Sequence, residues 1–204
     1  PGIAFLKAFN LQGKHLALAI TGKSAIIKIL SFAGKIEDAA ENQINELMGL
    51  EKPEEFRISY KVLVEGRGRS ESKVLTVAIP DGEVLAALQL FPVGLPAPYS
   101  IEISGLATMT SFLHGPGAQH TDDAVGCIDF GAELSYCALF SKGVLALIRK
   151  FEVGSNAILD RVQKSLGVDQ ETAFGIVTDG AFDLSQTINE VMDPLVKQLV
   201  VSRD

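Results

Sequence analysis

The residues VGCIDFGAELSYCALF, at positions 125–140, are the most informative about the fold of this chain. Two apolar runs, typical of β-strands, flank a short polar stretch that begins at Asp129 and contains Gly131. A carboxylate at the end of an apolar strand needs a partner, a metal ion or water, and glycine lets backbone N–H groups approach an anion closely. The pattern predicts a hairpin that is either a simple Asx-type turn or one wall of a phosphate site.

The segments after this hairpin predict a strand and then a helix. Residues 141–143, SKG, form a predicted turn, and the apolar run at 144–153 is the third of three consecutive strands. We expect Ser155 or Asn156 to cap the next helix, which ends at Gly167 because glycine favours the left-handed conformation found after helix ends. The residues expected on its buried face are Ile158, Leu159, Val162 and Leu166.

The remaining C-terminal residues predict two more helices. Asp169 caps a short helix that runs to about Val177, and residues 183–186 form a variant of the capping box at the start of the last helix. Pro194 should kink or split this last helix, since proline lacks the N–H of an interior helical residue. Asp193 would then cap the second part.

Residues 24–104 predict a compact α+β unit with the order β-α-β-β-α-β and with both helices on one face of a single sheet. Residues 56–65 alternate between apolar and polar, interrupted only by Leu63, which is typical of a half-buried strand. We expect Asp81 to cap the second helix, with Val84, Leu85 and Leu88 facing inward. The predicted elements are a strand at 24–32, a helix at 36–48, strands at 56–65 and 73–79, a helix at 81–91 and a strand at 99–103.

Two further patterns suggest binding sites and are better explained as turns or loops. Gly22-Lys23-Ser24 resembles the end of a phosphate-binding P-loop, but position 17, where that motif requires its first glycine, is Ala17. The segment HGPGAQH, at 114–120, is the best candidate for a domain boundary. With Asp122 and Asp123 its histidines could ligate a metal ion, but the glycines and proline favour a mobile linker.

Composition excludes several classes of function. The formal net charge of the 204 residues is −7 without a continuous basic stripe, so we expect no nucleic-acid binding. Cys127 and Cys137 have neither disulfide-scaffold nor zinc-site spacing and are expected to be buried, reduced thiols. No apolar run reaches the about 20 residues of a membrane span, and we expect no signal peptide. Neither a G-x-S-x-G motif nor a neighbouring Cys–His pair supports hydrolase chemistry.

The order of these elements resembles the PilM family of actin-like proteins from type IV pilus assembly, which is related to the cell-division protein FtsA. The strongest likeness lies between residues 128 and 173, where the hairpin, the SKG turn and the helix openings follow the family's order. The matching stretches are LALAITGKSAIIK at 16–28, FRISYKVL at 56–63, FEVGSN at 151–156 and LGVDQETA at 166–173.

The resemblance implies an α/β (α+β) fold: an actin-like, ribonuclease H-like core with an inserted β-α-β-β-α-β subdomain. It also implies that this chain corresponds to a middle part of the family's length. The implied divisions are the end of the first actin-like subdomain at 1–23, the inserted subdomain at 24–104, a helix and Gly/Pro linker at 105–123, and the start of the second actin-like subdomain at 124–204.

The resemblance further implies a nucleotide site, with ATP and Mg²⁺ as its cofactors and no catalytic or metal-ligating residue assigned. The residues carried over from the family are Asp129, Gly131, Ser135 and Gly154. The chain departs from the family beside them, because Glu133 and Leu134 stand where small hydroxyl residues are usual and Ser155 replaces a second glycine. A carboxylate beside a triphosphate is repelled, and a Cβ at a helix N-terminus limits close approach, so we expect degenerate nucleotide binding.

Three functions are therefore open. The first is a cytoplasmic scaffold, peripheral to the inner membrane, that docks the cytoplasmic tail of a type IV pilus or type II secretion-like membrane protein in a groove beside the inserted subdomain. The exposed edge of that subdomain's sheet could also pair with another chain, including a second copy. The second is an actin-like ATPase in which Asp129 orients Mg²⁺ and water. The third is a relative of sugar or acid kinases, against which the position of the inserted subdomain argues.

Overall fold

The computed structural model describes residues 16–36, 40–67, 70–91, 98–180 and 182–201, so most of the predicted segment 1–23 lies outside the described residues. By their internal contacts the residues group into two units, 1–127 with 138–148, and 128–137 with 149–204. The elements are β1 (Ala17–Ile20), β2 (Ile26–Ala33), α1 (Ala40–Met48), β3 (Phe56–Val64), β4 (Glu71–Pro80), α2 (Asp81–Leu88), β5 (Ser100–Ile103), α3 (Ser104–His114), β6 (Ala124–Phe130), β7 (Ser135–Ser141), β8 (Val144–Phe151), α4 (Ser155–Leu166), α5 (Gln170–Asp179) and α6 (Ser185–Val201).

The predicted order β-α-β-β-α-β is confirmed for the first unit, but the prediction of one sheet is wrong. Strands β2, β4 and β3 form an antiparallel sheet in that spatial order, whereas β5 pairs in parallel with β1. A parallel pair needs a long crossover between its strands, and the residues between β1 and β5 provide it. The elements from β2 to α2 are thus inserted in the chain between two paired strands, β1 and β5.

The core of the first unit lies between α1 and the antiparallel sheet. Helix α1 contributes Ile44 and Met48, each 1% exposed. Lys28 Nζ donates to the Met48 carbonyl at 2.7 Å, which satisfies an otherwise free carbonyl at the helix end. Strands β2 and β4 contribute Leu30, Phe32, Val74 and Ala78, and Phe56 and Ile58 of β3 pack at the margin of this cluster.

Helix α2 begins differently from the prediction. Pro80 occupies the N-cap position without a side-chain cap, and Asp81 is the first helical residue. Because the Asp81 carboxylate accepts a hydrogen bond from Arg57 Nε of β3, it does not cap the helix. The predicted inward direction of Leu85 is also wrong, since this residue is 45% exposed and the buried face of the helix consists of Val84 and Ala87.

The predicted mobile linker at 114–120 is instead a short 3-10 helix, Pro116–His120. Gly117 is buried in it, and a Cβ there would lie 2.7 Å from the Phe112 ring, so only glycine permits this packing. His120 Nδ1 lies 2.9 Å from Asp123 Oδ2. Among the described residues no group of three or more His, Cys, Asp or Glu side chains is placed to hold a metal ion.

The three consecutive strands predicted at 124–153 are confirmed as β6, β7 and β8, in that spatial order. Both cysteines are free thiols; Cys137 is buried, whereas Cys127 is half-buried rather than fully buried as predicted. Residues 22–25 form the predicted strand-to-strand turn, since Ala25 N–H donates to the Gly22 carbonyl at 3.1 Å.

The second unit contains α4, α5 and α6. Gly167 has a φ of 65° and ends α4 as predicted. Of the two effects expected of Pro194, a kink or a split of the last helix, the split is wrong, because α6 continues through this residue. Leu195, 4% exposed, packs with Cys137 and Phe151, and this burial holds the helix together despite the missing donor. None of the described helices has both the length and the hydropathy needed to cross a membrane.

The capping aspartate Asp169 gives a pH-dependent prediction. Its carboxylate accepts the Thr172 N–H at 2.8 Å, and this hydrogen bond holds the pKa of Asp169 below its ordinary value. A lowered folded-state pKa gives a stabilisation that is complete above the unfolded-state pKa and is lost as the pH falls through the folded-state pKa. Asp169→Ala should therefore lower the thermal unfolding midpoint at neutral pH. The difference from the wild type should shrink as the pH falls through the folded-state pKa of Asp169.

Circular dichroism melting across this acidic range measures the difference from the wild type. Asp160→Ala, at an exposed position within α4, is the control and should show a smaller effect at neutral pH. An Asp169→Ala difference that persists unchanged in strong acid would contradict the capping role.

Candidate functional site

The turn between β6 and β7 is closed by its own backbone. Gly131 N–H donates to the Leu134 carbonyl at 3.1 Å. A Cβ on Gly131 would lie 2.5 Å from that carbonyl oxygen, so the turn requires glycine for space. The hairpin predicted from the sequence is therefore present.

The N-terminus of α4 is bonded to this turn. Ser155 N–H donates to the Gly131 carbonyl and Asn156 N–H to the Ala132 carbonyl, each at 3.0 Å. Ala157 N–H donates to the Gly154 carbonyl, also at 3.0 Å. The predicted capping by Ser155 or Asn156 side chains is wrong: Gly154 is the N-cap without a side-chain hydrogen bond, and main-chain carbonyls take the first helical donors.

Gly154 makes this contact between the turn and the helix sterically feasible. Its backbone is extended, with φ −157° and ψ −171°, which any residue can adopt. A Cβ at this position, however, would lie 2.4 Å from the Ala132 carbonyl oxygen and 2.5 Å from that of Gly131. The close approach of two backbone segments, rather than a special dihedral angle, therefore requires glycine here.

Ser135 lies inside the protein at the start of β7. The residue is fully buried, and its Oγ donates to the Val153 carbonyl at 2.6 Å. Because the hydroxyl is engaged and shielded from solvent, this geometry favours a structural role that joins the start of β7 to the segment after β8. The predicted phosphate contact of Ser135 has no support in this arrangement.

The structure thus joins three of the four predicted nucleotide-site residues, Gly131, Ser135 and Gly154, in one hydrogen-bonded junction, which we call the hairpin–helix wall (residues 131–135 and 153–157). Asp129, the fourth, is half-buried two residues before the turn. Glu133 is exposed within the turn. The first N–H groups of α4 and the Ser135 hydroxyl are occupied by protein carbonyls, so the donors that would serve a phosphate are used within the wall.

A groove of about 470 Å³ lies in the first unit, between α1 and β3. We call it the β3 groove. Strand β3 is at an edge of the sheet formed by the described strands, and its even-numbered side chains from Phe56 to Val62 share one face. The residues that line the groove are Ile44, Asn45, Pro53, Glu54, Phe56, Ile58 and Tyr60.

The apolar face of β3 continues beyond the part that α1 covers. Tyr60 and Val62 are each 42% exposed, and a register shift between Val62 and Val64 ends the regular face of the strand there. The family resemblance predicts a groove beside the inserted subdomain and names no lining residues, whereas the β3 groove lies between two elements of that subdomain. The available signal is the alternation of apolar and polar residues from Phe56 to Val62, beside a helix of only nine residues, Ala40–Met48, which is too short to cover the whole sheet.

Among the described residues, most charges around the β3 groove are paired. Lys52 Nζ lies 2.8 Å from Glu55 Oε1, and Arg57 is paired with Asp81. The Glu54 carboxylate, which lines the groove, has no hydrogen bond or ion pair within the described part of the chain. The described lining therefore combines mostly apolar side chains with a carboxylate that has no partner among the described residues.

No protein-family model and no curated protein matches this chain. Among solved structures, a chain of a PilM-PilN type IV pilus biogenesis complex is similar, with a TM-score of 0.78 and 16% sequence identity. The likeness covers 99% of this chain and 63% of that chain, so the present chain spans less than two thirds of its relative. At this identity the likeness shows the fold alone.

Two other structures match shorter parts of the chain, with low structural similarity. One is the ethanolamine utilization protein EutJ from Carboxydothermus hydrogenoformans, at TM-score 0.33 and 16% identity over 53% of this chain and 36% of that one. The other is MreB 5 of Spiroplasma citri bound to AMPPNP, at TM-score 0.36 and 20% identity over 48% of this chain and 30% of that one. The predicted fold class is confirmed by the longer match: over the part it spans, the chain has a PilM-like, actin-like fold.

Proposed function

We propose that this protein is a cytoplasmic scaffold of a type IV pilus or type II secretion-like assembly complex, which docks the cytoplasmic tail of an inner-membrane protein in the β3 groove. The observation that carries this proposal is the groove itself, an apolar channel beside an edge strand. An edge strand offers main-chain donors and acceptors to an added peptide strand, and alternate side-chain positions provide selectivity.

The contacts of β3 support a bound strand rather than a compact small molecule. Ile44 and Ile58 form the inner wall, while Tyr60 continues the same face outward along the strand. A strand rises about 3.3 Å per residue, so an occupant that follows this face must be extended. A short unstructured tail meets this requirement.

The fold likeness supports the choice of partner. The similar solved structure is a complex of PilM with PilN in type IV pilus biogenesis, and the present chain has the same fold over the part that it spans. A tail anchored in the inner membrane would hold the scaffold at the cytoplasmic face of that membrane without a spanning segment of its own.

We further propose that nucleotide binding is degenerate and that the protein is not an enzyme. The hairpin–helix wall uses the N–H groups of Ser155 and Asn156 and the hydroxyl of Ser135 for its own hydrogen bonds. Asp129 would add a carboxylate beside a triphosphate, and like charges at short range repel. The residues present therefore fit ATP with Mg²⁺ poorly.

Calorimetric titration of the intact protein with ATP and Mg²⁺ tests this second proposal. We expect no saturable heat at physiological nucleotide concentrations, because the donors of the wall are already bonded. The matched titration with ADP and Mg²⁺ should look the same. Tight, saturable binding of ATP would instead favour the actin-like ATPase alternative.

Docking is tested by fluorescence anisotropy with labelled peptides that cover the cytoplasmic tails of the inner-membrane pilus proteins from the same organism. One tail should bind at micromolar concentration, and Tyr60→Glu should weaken it at least about tenfold, because a charge in an apolar contact is costly. Ser59→Glu places the same charge on the opposite face of β3 and is the matched control. Absence of binding by every tail at high micromolar concentration would refute docking.

A further inference from the structure

We propose that the β3 groove selects tails that place an arginine or lysine side chain against Glu54 and apolar side chains along Ile58 and Tyr60, and that Glu54 is the residue that determines this selectivity. This inference rests on the proposed docking function and adds the chemistry of the occupant. It makes the partner of the groove a cationic, extended, otherwise apolar peptide.

Glu54 lies at the rim of the β3 groove. Glu54 belongs to the 3-10 turn Pro53–Glu55, which leads directly into β3 at Phe56. Glu54 is exposed and lines the groove at the end where β3 begins. A peptide strand laid along β3 must therefore present one side chain to this carboxylate.

Three described cations near the groove are engaged with partners other than Glu54. Lys52 is paired with Glu55, Arg57 with Asp81, and Lys28 donates to the Met48 carbonyl. Each is a cation close in sequence or structure to the groove, and none of these contacts neutralises Glu54. Burying Glu54 under a neutral or acidic peptide would leave a carboxylate with reduced hydration and no partner, which is unfavourable.

The remaining walls of the β3 groove are mostly apolar. The inner lining is apolar, and Tyr60 and Val62 continue the apolar strip where α1 no longer covers it. Alternate residues of an added strand point to the same side, so an apolar-x-apolar pattern fits this strip. The basic residue then lies beyond the apolar ones, at the end of the peptide nearest Phe56.

The overall charge of the chain acts in the same direction. A net charge of −7 attracts a cationic tail over distances longer than a single contact, and complementary charge at a rim raises association rates. This general attraction would also act on other surfaces. The test must therefore separate Glu54 from the mean field of the protein.

The experiment is a selection from a random dodecapeptide library displayed on phage, carried out on the intact protein. We expect the selected peptides to carry arginine or lysine beside alternating apolar residues. Synthetic copies should bind Glu54→Lys about tenfold more weakly, since an attractive pair becomes a repulsive one, and should bind Glu51→Lys with nearly wild-type affinity. Glu51 is the matched control because it is a nearby exposed glutamate outside the groove lining, and its replacement leaves the Lys52–Glu55 pair intact.

A salt series adds a readout that a merely structural role would not change. Affinity for the wild type should fall with rising ionic strength more steeply than affinity for Glu54→Gln, because exposed charges are screened. A parallel selection on Glu54→Lys should enrich acidic instead of basic peptides. Recovery of binding by such a charge-exchanged pair would strongly support the contact.

The failures are distinguishable. If the selected peptides lack basic residues and their binding is lost in Tyr60→Glu, the charge inference is overturned and docking in the groove stands. No enrichment on either protein would overturn both. A concentration-dependent dimer in sedimentation experiments, abolished by Val62→Lys, would assign the groove to a second copy of the chain and overturn the proposed peptide occupant.

Discussion

Gly154→Ala should reduce the free energy of unfolding by about 3 kcal/mol, because overpacking typically costs about 1–3 kcal/mol and each lost hydrogen bond about 1 kcal/mol. The new methyl group would lie 2.4 Å from the Ala132 carbonyl oxygen. Relief requires the turn to separate from α4, which breaks the bonds from Ser155 to Gly131 and from Asn156 to Ala132. The effect should therefore be large for so small a substitution.

Urea unfolding followed by circular dichroism measures this loss. Gly175→Ala is the matched control, since a Cβ there meets nothing within 4 Å and the position is inside α5. Alanine at an interior helical position should raise stability by about 0.5–1 kcal/mol, so the two variants are expected to differ in sign. Equal, small effects would contradict the tight junction of turn and helix.

Gly66→Ala should have a comparable cost, about 3 kcal/mol, in the first unit. A Cβ on Gly66 would lie 2.3 Å from the Ser70 carbonyl oxygen and 2.8 Å from that of Gly34. Gly66 N–H also donates to Ser72 Oγ at 2.8 Å, and this buried hydroxyl donates to the Gly34 carbonyl at 2.6 Å. Displacement of Gly66 disrupts both hydrogen bonds and the end of β3.

The same unfolding measurement applies, with Gly82→Ala as control because a Cβ there has open space around it. Gly82→Ala should leave stability unchanged or slightly higher. We also expect Gly66→Ala to weaken tail binding, since the edge strand is no longer held firmly. A Gly66→Ala protein with wild-type stability would show that the end of the hairpin is less closely packed than the distances indicate.

Local chemistry predicted much of the second unit. Gly167 and Asp169 carry their own signals, because a left-handed residue after a helix and an aspartate before one act within a few positions. Gly131 likewise predicts the turn that the structure contains. Ser155 and Ser135 were less predictable, since their partners, Gly131 and Val153, approach them only in the folded chain.

Local sequence patterns could not predict which strands pair with each other or which part of an apolar face a helix covers. The short apolar strand Ser100–Ile103 pairs with β1 rather than with the subdomain's sheet, and nothing in its own residues distinguishes the two partners. Pro194 signals a break that tertiary packing of Leu195 overrides. The β3 groove depends on which part of an apolar face a neighbouring helix leaves uncovered, which is a property of the assembled layers.

Amide hydrogen–deuterium exchange with and without the cognate tail peptide tests the central claim that a membrane partner docks beside β3. We expect slower exchange for amides of β3 and of the turn at Pro53–Glu55, with no change in the hairpin–helix wall. Addition of ATP and Mg²⁺ should alter neither region. Protection confined to another surface, or protection of residues 129–135 by ATP, would contradict a scaffold that binds its partner in the β3 groove.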